Sequence, residues 1–142
     1  MATRTQARES VIGLLYAYDL GNEAIAKFSD EILEDKKIRN KQKDFALNLF
    51  NGTIENLQVV DKEIEEHLKQ REISDVGSVE KAILRLSIYE ILFSDLDKPI
   101  VINEAIELSK RLASDNAPKF INGVLDSIET KTVNKKWTAS LF

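Results

Sequence analysis

The chain predicts an all-helical fold, and three observations carry that prediction. Apolar residues recur at steps of three and four along most of its length, which lines one face of a helix. Only 5 Gly and 2 Pro occur in 142 residues, too few to turn a many-stranded sheet. No stretch stands out as a strand, and no internal repeat of about 20–50 residues is present. The length fits one domain and suffices to bury a core without disulfides or metals. With 43% hydrophobic and 31% charged residues the chain is globular rather than disordered.

Each element can be justified in order. Ala7, Val11, Leu14, Leu15 and Tyr18 mark a first helix over 4–20, with Thr3 or Thr5 as N-cap and Gly21-Asn22 as its stop. A second helix, about 23–36, turns Ile25, Phe28, Ile32 and Leu33 inward. A long third helix, about 41–68, buries a stripe of Ala46, Phe50, Thr53, Leu57, Val60, Ile64 and Leu68. Gly52 costs that helix roughly 1 kcal/mol against alanine, so a close neighbour is expected there. Residues 69–77, KQREISDVG, read as a loop with one short turn.

Ser78 is the expected cap of a fourth helix, VEKAILRLSIYEILF (79–93). It is apolar around nearly its whole circumference, as a helix at the centre of a bundle should be. Residues 95–99 break the chain, and a fifth helix starts within 99–103 and runs to about 112 on Ala105, Leu108 and Leu112. Pro118 opens a last helix, about 118–130, burying Phe120, Ile121, Val124, Leu125 and Ile128. A tail, 131–142, follows this single domain. It holds Trp137, the only tryptophan, whose apolar surface predicts docking on this chain or on a neighbouring copy.

Composition excludes several chemistries. Cysteine is absent, which removes disulfides, thiol catalysis and cysteine-ligated zinc, and His67 is the only histidine. No metal or cofactor is expected. No segment has the apolar run of a membrane span, and the N-terminus lacks the features of a signal peptide, so a cytoplasmic protein is expected. The net charge of -4, with a pI of about 5.1, argues by itself against a nucleic-acid binder. The charge is unevenly spread, however. Residues 36–43, KKIRNKQK, hold five cations and no acid.

Three oddities point to function. Arg4 and Arg8 share a face in the first turns of a helix, where the dipole disfavours cations by about 0.3–1 kcal/mol. Either a protein acid such as Glu9 offsets them, or an external anion such as phosphate does. In the last helix Lys119 stands beside Phe120, a pair suited to a nucleotide: ammonium to phosphate, ring to base. The ring could equally be plain core. Gly123 lies on that helix's polar face, where either a close helix crossing or an approaching ligand would explain it. Glu90, among Val79, Ile83 and Leu86, is expected to be a satisfied structural acid rather than a catalytic one.

ARESVIGLLYAYD (7–19), VEKAILRLSIYEILF (79–93), VINEAIELSKRL (101–112) and KFINGVLDSI (119–128) resemble, in order, the signature segments of the NusB transcription antitermination factors. The resemblance implies two three-helix bundles packed roughly at right angles, about seven helices in all, and no enzymatic activity. It implies binding to boxA, a single-stranded RNA element of ribosomal RNA leaders. The ribosomal protein that doubles as NusE would bind jointly, and NusA, NusG and RNA polymerase would join through the complex. By the same resemblance Arg4, Gln6, Arg8, Lys119 and Phe120 face RNA, with Thr5 and Gln6 standing where further arginines are common. Tyr16, Glu80 and an exposed Lys81 face the partner protein, and Gly123 permits close helix packing beneath the RNA site. The run 36–43 is outside the family pattern. A purely protein-binding adaptor is the alternative, favoured by the acidic pI. A methyltransferase carrying a NusB-like domain is excluded by length and by the lack of a glycine-rich fingerprint.

Overall fold

The structure, a computed structural model, describes residues 2–69 and 71–130. These form seven α-helices and a short 3-10 turn at Ile73–Asp75, with no strand among the described residues. The helices are α1 (Arg4–Asp19), α2 (Ile25–Asp35), α3 (Lys41–Glu55), α4 (Leu57–Glu66), α5 (Ser78–Phe93), α6 (Lys98–Leu112) and α7 (Ala117–Ser127). The tail, with Trp137, lies outside the described residues.

Contacts sort the helices into two trios. In one, α1, α2 and α3 pack on each other; in the second, α5, α6 and α7 do. The hub is α5, which also touches α1, α3 and α4. Every residue from Ala82 to Ile88 is buried there, as its all-round apolar pattern requires. Each fully buried Leu or Ile, such as Leu15, Leu33, Ile83, Ile88 and Ile121, contributes about 1.5–3 kcal/mol.

Two element boundaries differ from the sequence expectation. The helix expected over 41–68 is two helices, broken at Asn56, where φ is -113° and ψ is 21°. The backbone N–H and the Nδ2 of Asn56 both donate to the Gly52 carbonyl, at 3.1 and 2.8 Å. The side chain thus competes with the helical ladder and resets it. This break supplies the seventh helix. At α5 the cap position is Gly77, without a side-chain capping bond, and Ser78 is already helical.

Gly52 has the close neighbour its position predicts: a Cβ there would collide with the Tyr89 ring, which stacks on Phe93 at 5.2 Å between centroids. Burial, then the nearby Glu55 and Glu90 carboxylates, raises the Tyr89 pKa. Phe28, expected inside, is half exposed at 51%, and Leu33 carries the burial of α2. Pro99 sits in the first turn of α6 and Pro118 in that of α7, where a missing N–H costs nothing. Lys98 Nζ donates to the carbonyls of Asp126 (2.6 Å) and Ile128 (2.5 Å), capping the end of α7 with a cation.

Candidate nucleic-acid interface

The start of α1 is fixed by a capping box. Thr3 Oγ1 accepts from the Gln6 N–H at 3.1 Å, and Gln6 Oε1 accepts from the Thr3 N–H at 2.8 Å. One turn of helix then places two arginines in different environments. Arg4 is exposed, its guanidinium 4.7 Å from the centre of the Phe45 ring, and has no carboxylate within ion-pair distance among the described residues. Arg8 is buried. Its Nε and Nη2 grip the Glu90 carboxylate of α5 at 3.0 and 2.8 Å, and it flanks the same Phe45 ring at 5.0 Å.

This corrects one expectation and answers another. Arg8 is 7% exposed and Glu90 3%, so the guanidinium is spent on a buried partner and is not open to phosphate. Glu90 is the satisfied structural acid expected, though its partner is an arginine rather than backbone amides or a hydroxyl. Glu9 does not offset either arginine of its own helix. It is bonded by Arg111, tying α1 to the end of α6 just before the turn that opens α7.

At the start of α7, Lys119 is exposed and Phe120 half-buried against the core. The guanidinium of Arg71 lies 4.6 Å from the centre of the Phe120 ring, and its Nη2 donates to the Asp75 carbonyl at 3.1 Å. Gly123 is open: a Cβ there would meet nothing within 4 Å. Close helix packing therefore does not explain this glycine, contrary to the sequence reading. It leaves a smooth, exposed helix face one turn beyond Lys119 and Phe120.

The residues expected to meet a partner protein gather where the end of α1 meets the start of α5. Tyr16 is 38% exposed and Leu20, one turn on, 61%. Lys81 is less open than expected. Its side chain is 14% exposed, and Nζ lies 3.3 Å from Asp19 Oδ2, because α1 and α5 pack together there. Arg85 joins the same network, bonding Asp19 at 3.0 Å and both oxygens of Asp61 at 2.9 Å. Burial works against its charge, and Asp61 and Asp19 outweigh that, raising its pKa above the ordinary arginine value. Glu80 is half-buried, 3.5 Å from Ser114 Oγ in the α6–α7 connection.

Among the described residues no cluster of His, Asp or Glu could hold a metal ion, and no helix is long and apolar enough to cross a membrane. What the surface offers instead is cations and aromatic rings at two helix starts.

Comparison with known proteins decides what such a surface belongs to. The NusB family model matches residues 5–130. The chain belongs to the NusB family. It is 77% identical over 128 residues to the transcription antitermination protein NusB of Aliarcobacter butzleri, covering 90% of this chain and 98% of the relative. The NusB of a Nitratiruptor species is 60% identical over 134 residues, covering 94% and 96%. A crystal structure of the antitermination factors NusB and NusE in complex with dsRNA matches with a TM-score of 0.78 at 33% identity, covering 87% of this chain and 93% of that one. A structure of T. maritima NusB matches with a TM-score of 0.77 at 30% identity, covering 88% and 89%. NusB proteins are antitermination factors, not enzymes.

Two residues of the candidate interface escaped the sequence reading. Phe45 stands beside, not on, the buried stripe of α3, and that off-stripe aromatic was an available signal. Arg71 gave none, since only the folded loop brings it onto a ring 49 positions away (120 minus 71).

Proposed function

We propose that this chain is a transcription antitermination factor that binds boxA single-stranded RNA of ribosomal RNA operon leaders. It does so together with the ribosomal protein NusE and promotes processive elongation. The observation that carries the reading is the group at the start of α7: exposed Lys119, the half-buried Phe120 ring and the Arg71 guanidinium over that ring. Lys119 and Arg4 supply phosphate contacts. The Arg71–Phe120 stack supplies a planar platform for an unstacked base, on the ring or on the guanidinium plane. Gly123 lets the strand approach the helix backbone. Arg8 has no direct part, and Gln6 acts first as the cap that fixes the start of α1.

NusE binds where Tyr16, Leu20 and Glu80 are accessible, with Lys81 held in place by Asp19. Through this joint complex NusA, NusG and RNA polymerase are engaged in the cytoplasm. A related structure pairs NusB and NusE with dsRNA. Single strands are the expected target here because their unpaired bases can reach a stacking platform.

Titration of fluorescent boxA RNA, with and without NusE, tests the reading. Single-stranded boxA is expected to bind more tightly than the same sequence as a duplex, and NusE to tighten it further. NusE binding with no RNA binding in either condition would leave a purely protein-binding adaptor. Glu80→Lys is expected to weaken NusE binding through charge repulsion while leaving the melting temperature nearly unchanged; calorimetry reads both.

A further inference from the structure

Beside the start of α1, the connection between α2 and α3 closes a groove. Gln6 and Ser10 line it from α1, and Lys36, Lys37, Arg39 and Asn40 from the connection. We propose that this groove is a second phosphate track for the same single-stranded RNA, with Lys36 and Lys37 as its phosphate-binding residues. The proposal rests on the RNA-binding reading above and extends its footprint beyond the α1 and α7 residues.

Charge placement is the first argument. Within 36–43 the cations divide. Lys43 bonds Asp30 and Glu34 at 3.0 and 2.6 Å, and Arg39 bonds Glu34 at 2.9 Å. The Lys43 hydrogen bond holds the Glu34 carboxyl below its ordinary pKa, and Glu34, then Asp30, raise that of Lys43. Those contacts fasten α2 to α3. Lys36 and Lys37 are exposed and have no acid partner among the described residues. Among the described residues the one carboxylate lining the groove is that of Glu9, and Arg111 already binds it. In a chain of net charge -4, this is a concavity with unbalanced positive charge.

Backbone geometry is the second. Lys37 has a φ of 63° and Asn40 of 57°, the left-handed region that favours glycine. Folding alone would place glycine at 37; a lysine there puts a cation on the rim. Buried Ile38 anchors the connection between them. Lys36 Nζ reaches across to α1, 3.7 Å from where a Cβ on Gly13 would stand.

Continuity is the third. Ala2 and Gln6 line the groove, so it reaches the same first turn of α1 that carries Arg4, although Arg4 itself stands outside the lining, beside Phe45. The N-terminal ends of α1 and α3 both border it. No acid stands in the first turn of α1, which leaves that positive helix end for an outside anion, whereas α3 carries Asp44 in its own first turn.

The test is the salt dependence of binding to fluorescein-labelled single-stranded boxA RNA. Lys36→Ala/Lys37→Ala is expected to flatten the slope of log K against log salt by about 1.4, from about 0.7 per phosphate contact. Its melting temperature should be unchanged, and Lys36→Arg/Lys37→Arg should keep the slope. Lys27→Ala/Lys62→Ala removes the same charge away from the groove and should also leave the slope alone. An unchanged slope in Lys36→Ala/Lys37→Ala, or an equal loss in the Lys27 and Lys62 control, overturns the track. So does an unchanged slope accompanied by weaker NusE binding, which would make the groove a protein contact. If Arg4→Ala/Lys119→Ala flattens the slope while Lys36→Ala/Lys37→Ala does not, the groove fails and the RNA-binding reading stands. If the unmodified chain shows no salt-dependent RNA binding, both fail.

Discussion

The two ends of α1 treat charge in opposite ways. At its C-terminal end Asp19, Lys81, Arg85 and Asp61 satisfy one another across α1, α4 and α5. At its N-terminal end Arg4 has no acid partner among the described residues, and the connection beside it carries Lys36 and Lys37 in the same state. Arg8, one turn from Arg4, marks the boundary, since it is turned inward to Glu90. A charge closed within the chain fixes how helices pack. A charge left open in a protein that could have paired it is available to a ligand, and the neighbouring Arg39 and Lys43 show that pairing was within reach. Arginine spacing alone does not separate the two cases, because Arg4 and Arg8 share a helix face and differ only in what α5 brings to them.

The sharpest way to break this comparison is at its boundary. Glu90→Ala leaves a buried guanidinium without its partner and is expected to cost about 3–5 kcal/mol of stability, read by chemical denaturation. Arg8→Met/Glu90→Leu removes both charges and should restore most of that loss. The double variant is also expected to bind RNA as the unmodified chain does. A loss of affinity per folded molecule would return Arg8 to the interface.

Phe120→Ala comes next. The ring serves on both sides of the comparison, half in the core and half under Arg71. Losing a base-stacking platform should cost about 1–3 kcal/mol of RNA binding. The stability loss should fall below the about 3–5 kcal/mol of a fully buried phenylalanine. A large fall in melting temperature with unchanged RNA affinity would make the residue plain core.

Arg4→Ala/Lys119→Ala affects only open charges. It should leave the melting temperature in place and flatten the salt slope of RNA binding by about 1.4. The smallest expected effect is that of Gly123→Ala. With open space around the position, alanine should stabilise α7 by about 0.4–1 kcal/mol through the lost freedom of the unfolded chain. RNA affinity should fall modestly if the strand meets the backbone there, and stay unchanged if it does not.

Much of the fold was legible in the sequence because burial imposes a period. Of the stripe expected from Ala46 to Leu68, Ala46, Phe50, Thr53, Val60, Ile64 and Leu68 are buried even though the helix carrying them breaks at Asn56, and Leu57, beside the break, is not in the core. The break depends on one side-chain amide competing for one carbonyl, which leaves the apolar period intact. Gly52 was legible because an unfavourable residue on a buried stripe implies a neighbour. Gly123, on an exposed face, carried no such constraint, and the packing explanation for it was mistaken. At the candidate site, local signals such as Lys119 beside Phe120 were visible. Pairings across the chain were not: Arg8 with Glu90, Arg71 over Phe120 and Lys81 with Asp19 join positions that only the tertiary fold brings together.

The central claim, that open cations face RNA while closed ones hold the fold, is tested most directly by nuclear magnetic resonance. Amide shifts of the isotope-labelled chain would be followed during titration with single-stranded boxA RNA. The shifts are expected to concentrate at Arg4, Lys36, Lys37, Arg71, Lys119, Phe120 and Gly123, with Asp19, Asp61, Lys81 and Arg85 unmoved. Shifts centred on the Asp19–Arg85–Asp61 network, with the start of α7 silent, would contradict it.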